Sequence, residues 1–245
     1  MSREKLTDRE RQDVDDAARH FGNNKHHYEN FAKSVVDYLQ NDPQLRPYIQ
    51  QIKYRLKSKR RLKQKLASKA IGTKQSKPGR GIFPSLLDQV NDLAGIRILH
   101  LHTSQIGEID KHIKRVLEDY KIRILEGPVA HCWDRDHENF FKGLNIEVKE
   151  TRANPKFRDS MYASVHYVLA ANQTGEVTCE LQVRTLADEL WAEVSHLVEY
   201  EERQPDAQVH EMLKVLARIT SASSRLVDCI FEARATRRSA GKHRR

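Results

Sequence analysis

An α+β fold, with helices at both ends of the chain around a small sheet, is predicted for this 245-residue sequence. Three observations predict it. Apolar residues recur at helical spacing near both termini, short strand patterns occupy the middle, and no internal repeat or long low-complexity segment interrupts them.

Residues 1–20 are polar and read as frayed or loosely helical. From Tyr28 the pattern becomes helical, with Phe31, Val35, Val36, Tyr38 and Leu39 on one side until Asp42-Pro43 breaks it. A second helix is expected from Pro47 to Lys69, striped by Tyr48, Ile49, Ile52, Leu56, Leu62 and Leu66. Gly72 to Pro84, rich in glycine and proline, reads as a loop. Ala94–His102 alternates as a buried strand does, and Ile106–Tyr120 places Ile109, Ile113, Val116 and Leu117 on one helical face. Ile122–Leu125 and Leu144–Val148 are strand candidates separated by an irregular stretch that includes "WDRDHEN" (Trp133–Asn139), expected to be a surface loop. Val165–Ala171 and Val177–Val183 flank "NQTG", a hairpin turn. Thr185 then caps a helix to Glu199, Pro205 marks a break, and a last helix spans Gln208–Arg234. The division expected is a polar segment 1–27, a main domain 28–204, a C-terminal helix 205–234 and a basic tail 235–245.

Composition narrows the class. Charged residues make up 31% and hydrophobic residues 38%, so one core is affordable at this length. No run approaches the ~18 apolar residues of a membrane span, and Met1–Gln12 carries no apolar signal segment. Cys132, Cys179 and Cys229 are widely spaced, which argues against a disulfide framework or a structural zinc and for a reducing cytoplasm.

Charge is distributed unevenly. Lys53–Arg80 holds twelve basic residues and no acidic one, and Arg234–Arg245 holds six more, so the remainder of a chain of net charge +9 is acidic by nine charges. Basic zones of this kind bind phosphate, on nucleotides or on nucleic acid, or form a solvated face and a loose tail. The loose tail is the reading taken for the C-terminus. On the expected second helix Lys57, Arg61 and Lys65 share a face at i, i+4 and i+8, with Arg55 about 80° to one side. Cations stacked this way repel one another unless an anion bridges them.

The strands supply opposite charge. Asp92 precedes a strand and Arg97 lies within it. Glu180, Gln182 and Arg184 alternate along the last strand and therefore face one way. Such a triplet is solvated or functional. If Asp92 and Glu180 meet across the sheet they can hold one Mg²⁺, an ion that takes few carboxylates and leaves positions for phosphates.

Four motifs in order, "RLKSKRRLKQK" (Arg55–Lys65), "DLAGIRI" (Asp92–Ile98), "YASVHYV" (Tyr162–Val168) and "ELQVRTLADELWAEVSH" (Glu180–His196), resemble the synthetase domain of the RelA/SpoT family. The likeness spans Tyr28 to Tyr200, and the closing helix resembles that of the small, single-domain alarmone synthetases. It implies a mixed β-sheet flanked by helices, nucleotidyltransferase-like, with a C-terminal helical extension. It implies a GTP/GDP pyrophosphokinase that moves the β,γ-pyrophosphate of ATP to the ribose 3′-hydroxyl of GDP or GTP. Arg55, Lys57, Arg61, Lys65 and Arg97 would surround ATP. Asp92 would hold Mg²⁺, and Glu180 would join it or act as general base. Tyr162 would stack on guanine, His166 would approach the acceptor phosphates, and Gln182 and Glu189 would complete the acceptor side.

Departures from the family pattern gather on the acceptor side. Met161 and Ala163 stand where Gly and Arg are common, Glu189 where Asn is common, and Ser195 where Glu precedes the helical histidine. On the ATP side Arg61 replaces a serine. The acceptor is therefore open among guanine nucleotides, adenine nucleotides and the 3′ end of tRNA, which toxin-type relatives use. A member that binds nucleotide or RNA without turnover is the remaining alternative. Only 54 residues precede Arg55, too few for the family's hydrolase half, so synthesis without hydrolysis is expected. The apolar stripe of the C-terminal helix packs on its own domain or forms a homo-oligomer interface; the sequence leaves both open.

Overall fold

The computed structural model describes residues 6–76, 87, 90–150, 161, 163–171, 177–201 and 206–242. Its elements run α1 (Asp8–Asn41), β1 (Gln51–Leu56), α2 (Lys59–Ser76), β2 (Ala94–His100), α3 (Ile106–Asp119), β3 (Arg123–Cys132), α4 (Arg135–Gly143), β4 (Glu147–Glu150), β5 (Ser164–Ala170), β6 (Thr178–Thr185), α5 (Leu186–Glu201) and α6 (Ala207–Lys242). The strands form one mixed sheet in the order β1-β2-β6-β5-β3-β4. β2 pairs with β6, and β3 with β4, in parallel; the other pairings are antiparallel. Among the described residues no helix is long and apolar enough to cross a membrane.

One face of this sheet is the core. Ile96 and Ile98 of β2, Val165, Tyr167 and Leu169 of β5, and Leu181 and Val183 of β6 alternate onto it and are buried. Helix α3 closes over it with Ile106, Ile109, Ile113, Val116 and Leu117. Helix α1 adds Phe21, Tyr28, Val35 and Leu39, and its fully buried Ala18 and Ala32 let it approach closely. The buried Tyr167 hydroxyl donates to Asp110 of α3 at 2.8 Å, so the core contains no stranded phenol.

Several expectations are corrected. The polar N-terminus is helical from Asp8. Thr7 and Glu10 form a reciprocal capping box, Glu10 N–H donating to Thr7 Oγ1 at 3.3 Å and Thr7 N–H to Glu10 Oε2 at 2.8 Å. The expected helix from Pro47 to Lys69 is a strand followed by a helix. Ile52, Tyr54 and Leu56 alternate with Lys53 and Arg55, and pairing with β2 selects period 2 over the competing helical period. Helix α2 then continues through Gly72 to Ser76, where a loop was expected. The stretch around "WDRDHEN" is not a surface loop. β3 is longer than expected, and Asp134 caps α4 by accepting from His137 N–H at 2.9 Å, with the His137 ring buried beneath it. The basic tail is not loose over its first part, because α6 remains helical to Lys242. The NQTG turn lies outside the described residues, as does most of Gly72–Pro84.

Helix α5 lies on the other side of the sheet, and α6 packs along α5 and against the turn that follows β2. Thr185 caps α5 as expected, accepting from Asp188 N–H at 3.1 Å. Trp191 Nε1 donates to the Leu213 carbonyl at 3.0 Å and ties α5 to α6. Asp228 fastens α6 to the end of β2 by accepting from Ser104 N–H at 2.8 Å, with His102 Nδ1 also at 2.8 Å. Arg225 reaches Asp136 of α4 at 2.6 Å.

Candidate active site

The face opposite the core is polar because the same alternation that buries Ile96 and Leu181 turns their neighbours the other way. Register aligns Arg55, Gly95, Glu180 and Val168 in one row across β1, β2, β6 and β5. The next row on that face is Lys53, Arg97, Gln182 and His166. A Cβ added at Gly95 would meet no atom within 4 Å, so open space lies between Arg55 and Glu180.

Beside this gap is a cavity of about 230 Å³ lined by Lys65, Lys69, Asp92, Glu126, His131, His166 and Glu180, among others. Asp92 enters it from the turn before β2, with one oxygen bonded to Lys57 Nζ at 2.5 Å and the other to Lys65 Nζ at 2.7 Å. Burial works against the Asp92 carboxylate, and the two ammonium groups outweigh it and hold its pKa below the ordinary value. Lys57 is itself shifted down by burial, with Asp92 opposing. Glu180 accepts or shares a proton with His166 Nδ1 at 2.8 Å and accepts from Gln182 Nε2 at 2.7 Å. Its pKa is also lowered: burial and the nearby Asp92 push it up, and the bonds from His166 and Gln182 prevail. His166 Nε2 in turn lies 2.5 Å from Ser164 Oγ, and the His131 ring lies 4.5 Å from the His166 ring. Burial, then His166 and Lys149, push His131 down to about 4.

A second cluster lies toward α5. Arg97 Nη1 donates to Glu189 at 3.0 Å and to Glu193. Glu189 is buried and also pairs with Lys53 at 2.6 Å and Arg184 at 3.2 Å. The Arg55 pKa is lowered by loss of hydration and by the adjacent guanidinium groups of Arg97 and Arg61.

The fold thus brings most of the expected residues to one face in two groups. Asp92, Glu180, Lys57, Lys65, His166 and Gln182 form the first, with direct bonds among them. Arg55, Arg61, Arg97 and Glu189 form the second. The basic residues do not come from one helix, since Arg55 ends β1, Lys57 lies in the connection, and Arg61 and Lys65 are on α2. Glu189 is sequestered by three cations and does not line the cavity. Tyr162 lies outside the described residues. Sequence reasoning missed Lys53, Glu193 and His131. Lys53 alternates with Arg55, and Glu193 lies one helical turn from Glu189, so both had a periodic signal; His131 had none, because β3 was expected to end at Leu125.

Two carboxylates facing one cavity, flanked by lysines, fit a small hard cation that keeps positions for phosphate oxygens. Among the described residues no group of three or more His, Cys, Asp or Glu side chains is placed to hold a metal.

Residues 54–205 match the model of the region found in RelA/SpoT proteins. The small alarmone synthetase 1 from Bacillus subtilis is similar in fold, with a TM-score of 0.52 at 18% identity over 92% of this chain and 99% of that one. The same enzyme bound to AMPCPP gives 0.51 at 19% identity, over 86% and 95% of the two chains. A GTP pyrophosphokinase family protein from Streptococcus pneumoniae gives 0.50 at 19% identity, over 94% and 98%. No curated protein sequence matches the chain.

Proposed function

The chain belongs to the RelA/SpoT family, and we propose that it transfers the β,γ-pyrophosphate of ATP to the 3′-hydroxyl of GDP or GTP, making (p)ppGpp. The observation that carries this reading is the meeting of Asp92 and Glu180 at one cavity that Lys65 also lines, with Lys57 bonded to Asp92 and Arg55 and Arg97 on the adjacent strands. Pyrophosphoryl transfer asks for positioning and charge neutralisation rather than a covalent intermediate.

In this proposal Arg55, Lys57, Arg61, Lys65 and Arg97 bind and orient the ATP phosphates. Asp92, with Glu180 across the cavity, holds Mg²⁺, which when bound offsets the charge of the transferred group. Glu180 takes the proton of the attacking 3′-hydroxyl, being ionised and fixed by His166 and Gln182. Tyr162 stacks on the acceptor base and His166 faces its phosphates. Lys57 and Lys65 exchange Asp92 for phosphate as nucleotide enters, a trade of one anionic partner for another.

The test is incubation with γ-labelled ATP and Mg²⁺ in parallel with GMP, GDP, GTP, adenine nucleotides and bulk tRNA. Label on a guanine nucleotide is the expected result. Label only on tRNA would move the chain to the toxin-type reading, and transfer to no acceptor would reject both.

We also propose self-association through α6. Met212, Val215, Ile219 and Leu226 are all at least half exposed and recur at the 3- and 4-residue steps of a heptad on a 36-residue helix. Light scattering should show an oligomer that Ile219→Glu dissociates.

A further inference from the structure

The second cluster contains an anion that nothing so far has used. Arg97 presents one nitrogen, Nη1, to two carboxylates four residues apart on α5. The two differ in setting. The Glu189 side chain is 8% exposed and is bonded by Lys53, Arg97 and Arg184, whereas that of Glu193 is 46% exposed. Arg97 itself is 13% exposed.

Glu193 also sits among the other guanidinium groups. Arg55 feels repulsion from Arg97 and Arg61 and attraction from Glu193. His196, one turn away in space from the same set, feels Arg61, Arg55, Arg97 and Glu193. Arg97 is bonded to this half-exposed carboxylate, and Arg55 and Arg61 lie within the same field. That is a charge pattern a polyphosphate would complete and a single carboxylate only partly satisfies.

We infer that Glu193 is a built-in stand-in for phosphate: it holds Arg97 while the site is empty and is displaced when the phosphates of ATP arrive, leaving Glu189 as the fixed partner that keeps the guanidinium aimed. This rests on the assignment of Arg55, Arg61 and Arg97 to ATP made above. The asymmetry of exposure decides which carboxylate moves. Releasing Glu189 would take one of three cations from a buried carboxylate that water cannot reach to compensate. Releasing Glu193 returns a half-exposed carboxylate to water and leaves Arg97 paired with Glu189. The two carboxylates share a helical face, and the Arg97 side chain bridges them. Arginine can pass from a carboxylate to a phosphate without changing its charge and with both ends of its fork available. Glu193 is therefore a positioning residue, which parks Arg97 in the nucleotide-free chain.

The experiment is calorimetric titration of AMPCPP with Mg²⁺ into the full-length wild type, Glu193→Gln and Glu189→Gln, with a thermal melt of each. Glu193→Gln should bind the analogue about two- to fivefold more tightly, the fold-change equivalent to losing an exposed pair as competitor. In turnover, KM for ATP should fall by a similar factor while KM for the acceptor stays unchanged, a split that a merely structural residue would not produce. Glu189→Gln should bind more weakly and melt lower. A folded Glu193→Gln that binds AMPCPP no better than wild type, or worse, overturns the inference and leaves the ATP assignment standing. Wild type that fails to bind AMPCPP overturns the ATP assignment and this inference with it.

Discussion

The two faces of the sheet are cut from the same strands and carry opposite chemistry. On one, Ile96, Ile98, Tyr167, Leu169, Leu181 and Val183 are buried beneath α1 and α3. On the other, one residue along, Arg97, His166, Glu180, Gln182 and Arg184 bond to one another and to α5. Each polar side chain therefore rests on a strand whose position is set from behind by apolar packing. Backing of this kind is what holds a site to the tolerance that transfer chemistry requires. The division teaches that stability and chemistry are separable here by parity of position.

The strongest test of that division is Asp92→Asn or Glu180→Gln. Either should lower pyrophosphoryl transfer by about 10²- to 10⁴-fold, while the thermal midpoint falls less than for a core deletion, since each substitution keeps the side chain's size and removes only the charge that its partners stabilise. A large fall in midpoint would show that the polar face is part of the scaffold after all. The reciprocal change, Leu181→Ala, removes a fully buried side chain from the core face. It should cost about 2–5 kcal/mol in urea unfolding, with KM for ATP unaltered in the fraction that remains folded.

Acidification probes both faces at once. His100, on the core face, and His131, on the polar face, are each pushed down to about 4, in both cases chiefly by burial. A histidine depressed in the fold stabilises it fully above the unfolded value near 6.5, and that stability is lost as pH falls from there toward 4. His137 works in the opposite sense. Burial opposes its charge, but Asp134, 2.6 Å away, raises its pKa, so its contribution is complete below pH 6.5 and fades as pH rises through the folded value. With two groups against one, the urea midpoint should drop between pH 7 and pH 5, and His131→Asn should reduce the drop. The smallest expected effect is that of Tyr167→Phe, about 1 kcal/mol for its bond to Asp110, with no change in catalytic parameters.

How much of this was legible in the sequence follows from the same parity. β2, α3, β5, β6 and α5 were readable because each has an unambiguous period and a partner close in sequence or a strong apolar face. β1 was not, since Ile49, Ile52 and Leu56 satisfy helical spacing while Ile52, Tyr54 and Leu56 satisfy alternation, and only its pairing with β2 decides between them. β3 was cut short because the stretch after Leu125, which contains Gly127-Pro128 and is rich in His, Asp and Asn, reads as irregular. The strand continues past Gly127-Pro128 with a register shift, and Gly127 adopts a φ of 97° that a side chain would resist. Among the site residues, the meeting of Asp92 with Lys57 and Lys65 was foreshadowed by charge alone. The sequestration of Glu189 was not, because it depends on Lys53, Arg97 and Arg184 converging from three strands.

The parallel pairing of β2 with β6 at the centre of the sheet has a further consequence, in time. It joins Gly95 to Glu180, eighty-five residues later, so the two carboxylates face one another only after the intervening hairpins and helices have been made. Contacts of such separation carry a large closure cost and form late. A ribosome that has not yet released Thr178–Thr185 therefore holds a chain with lysines and Asp92 in place but no Glu180 opposite them. On the proposed assignment the site is complete only when synthesis of the domain is nearly finished, and a product truncated before β6 should lack transfer activity.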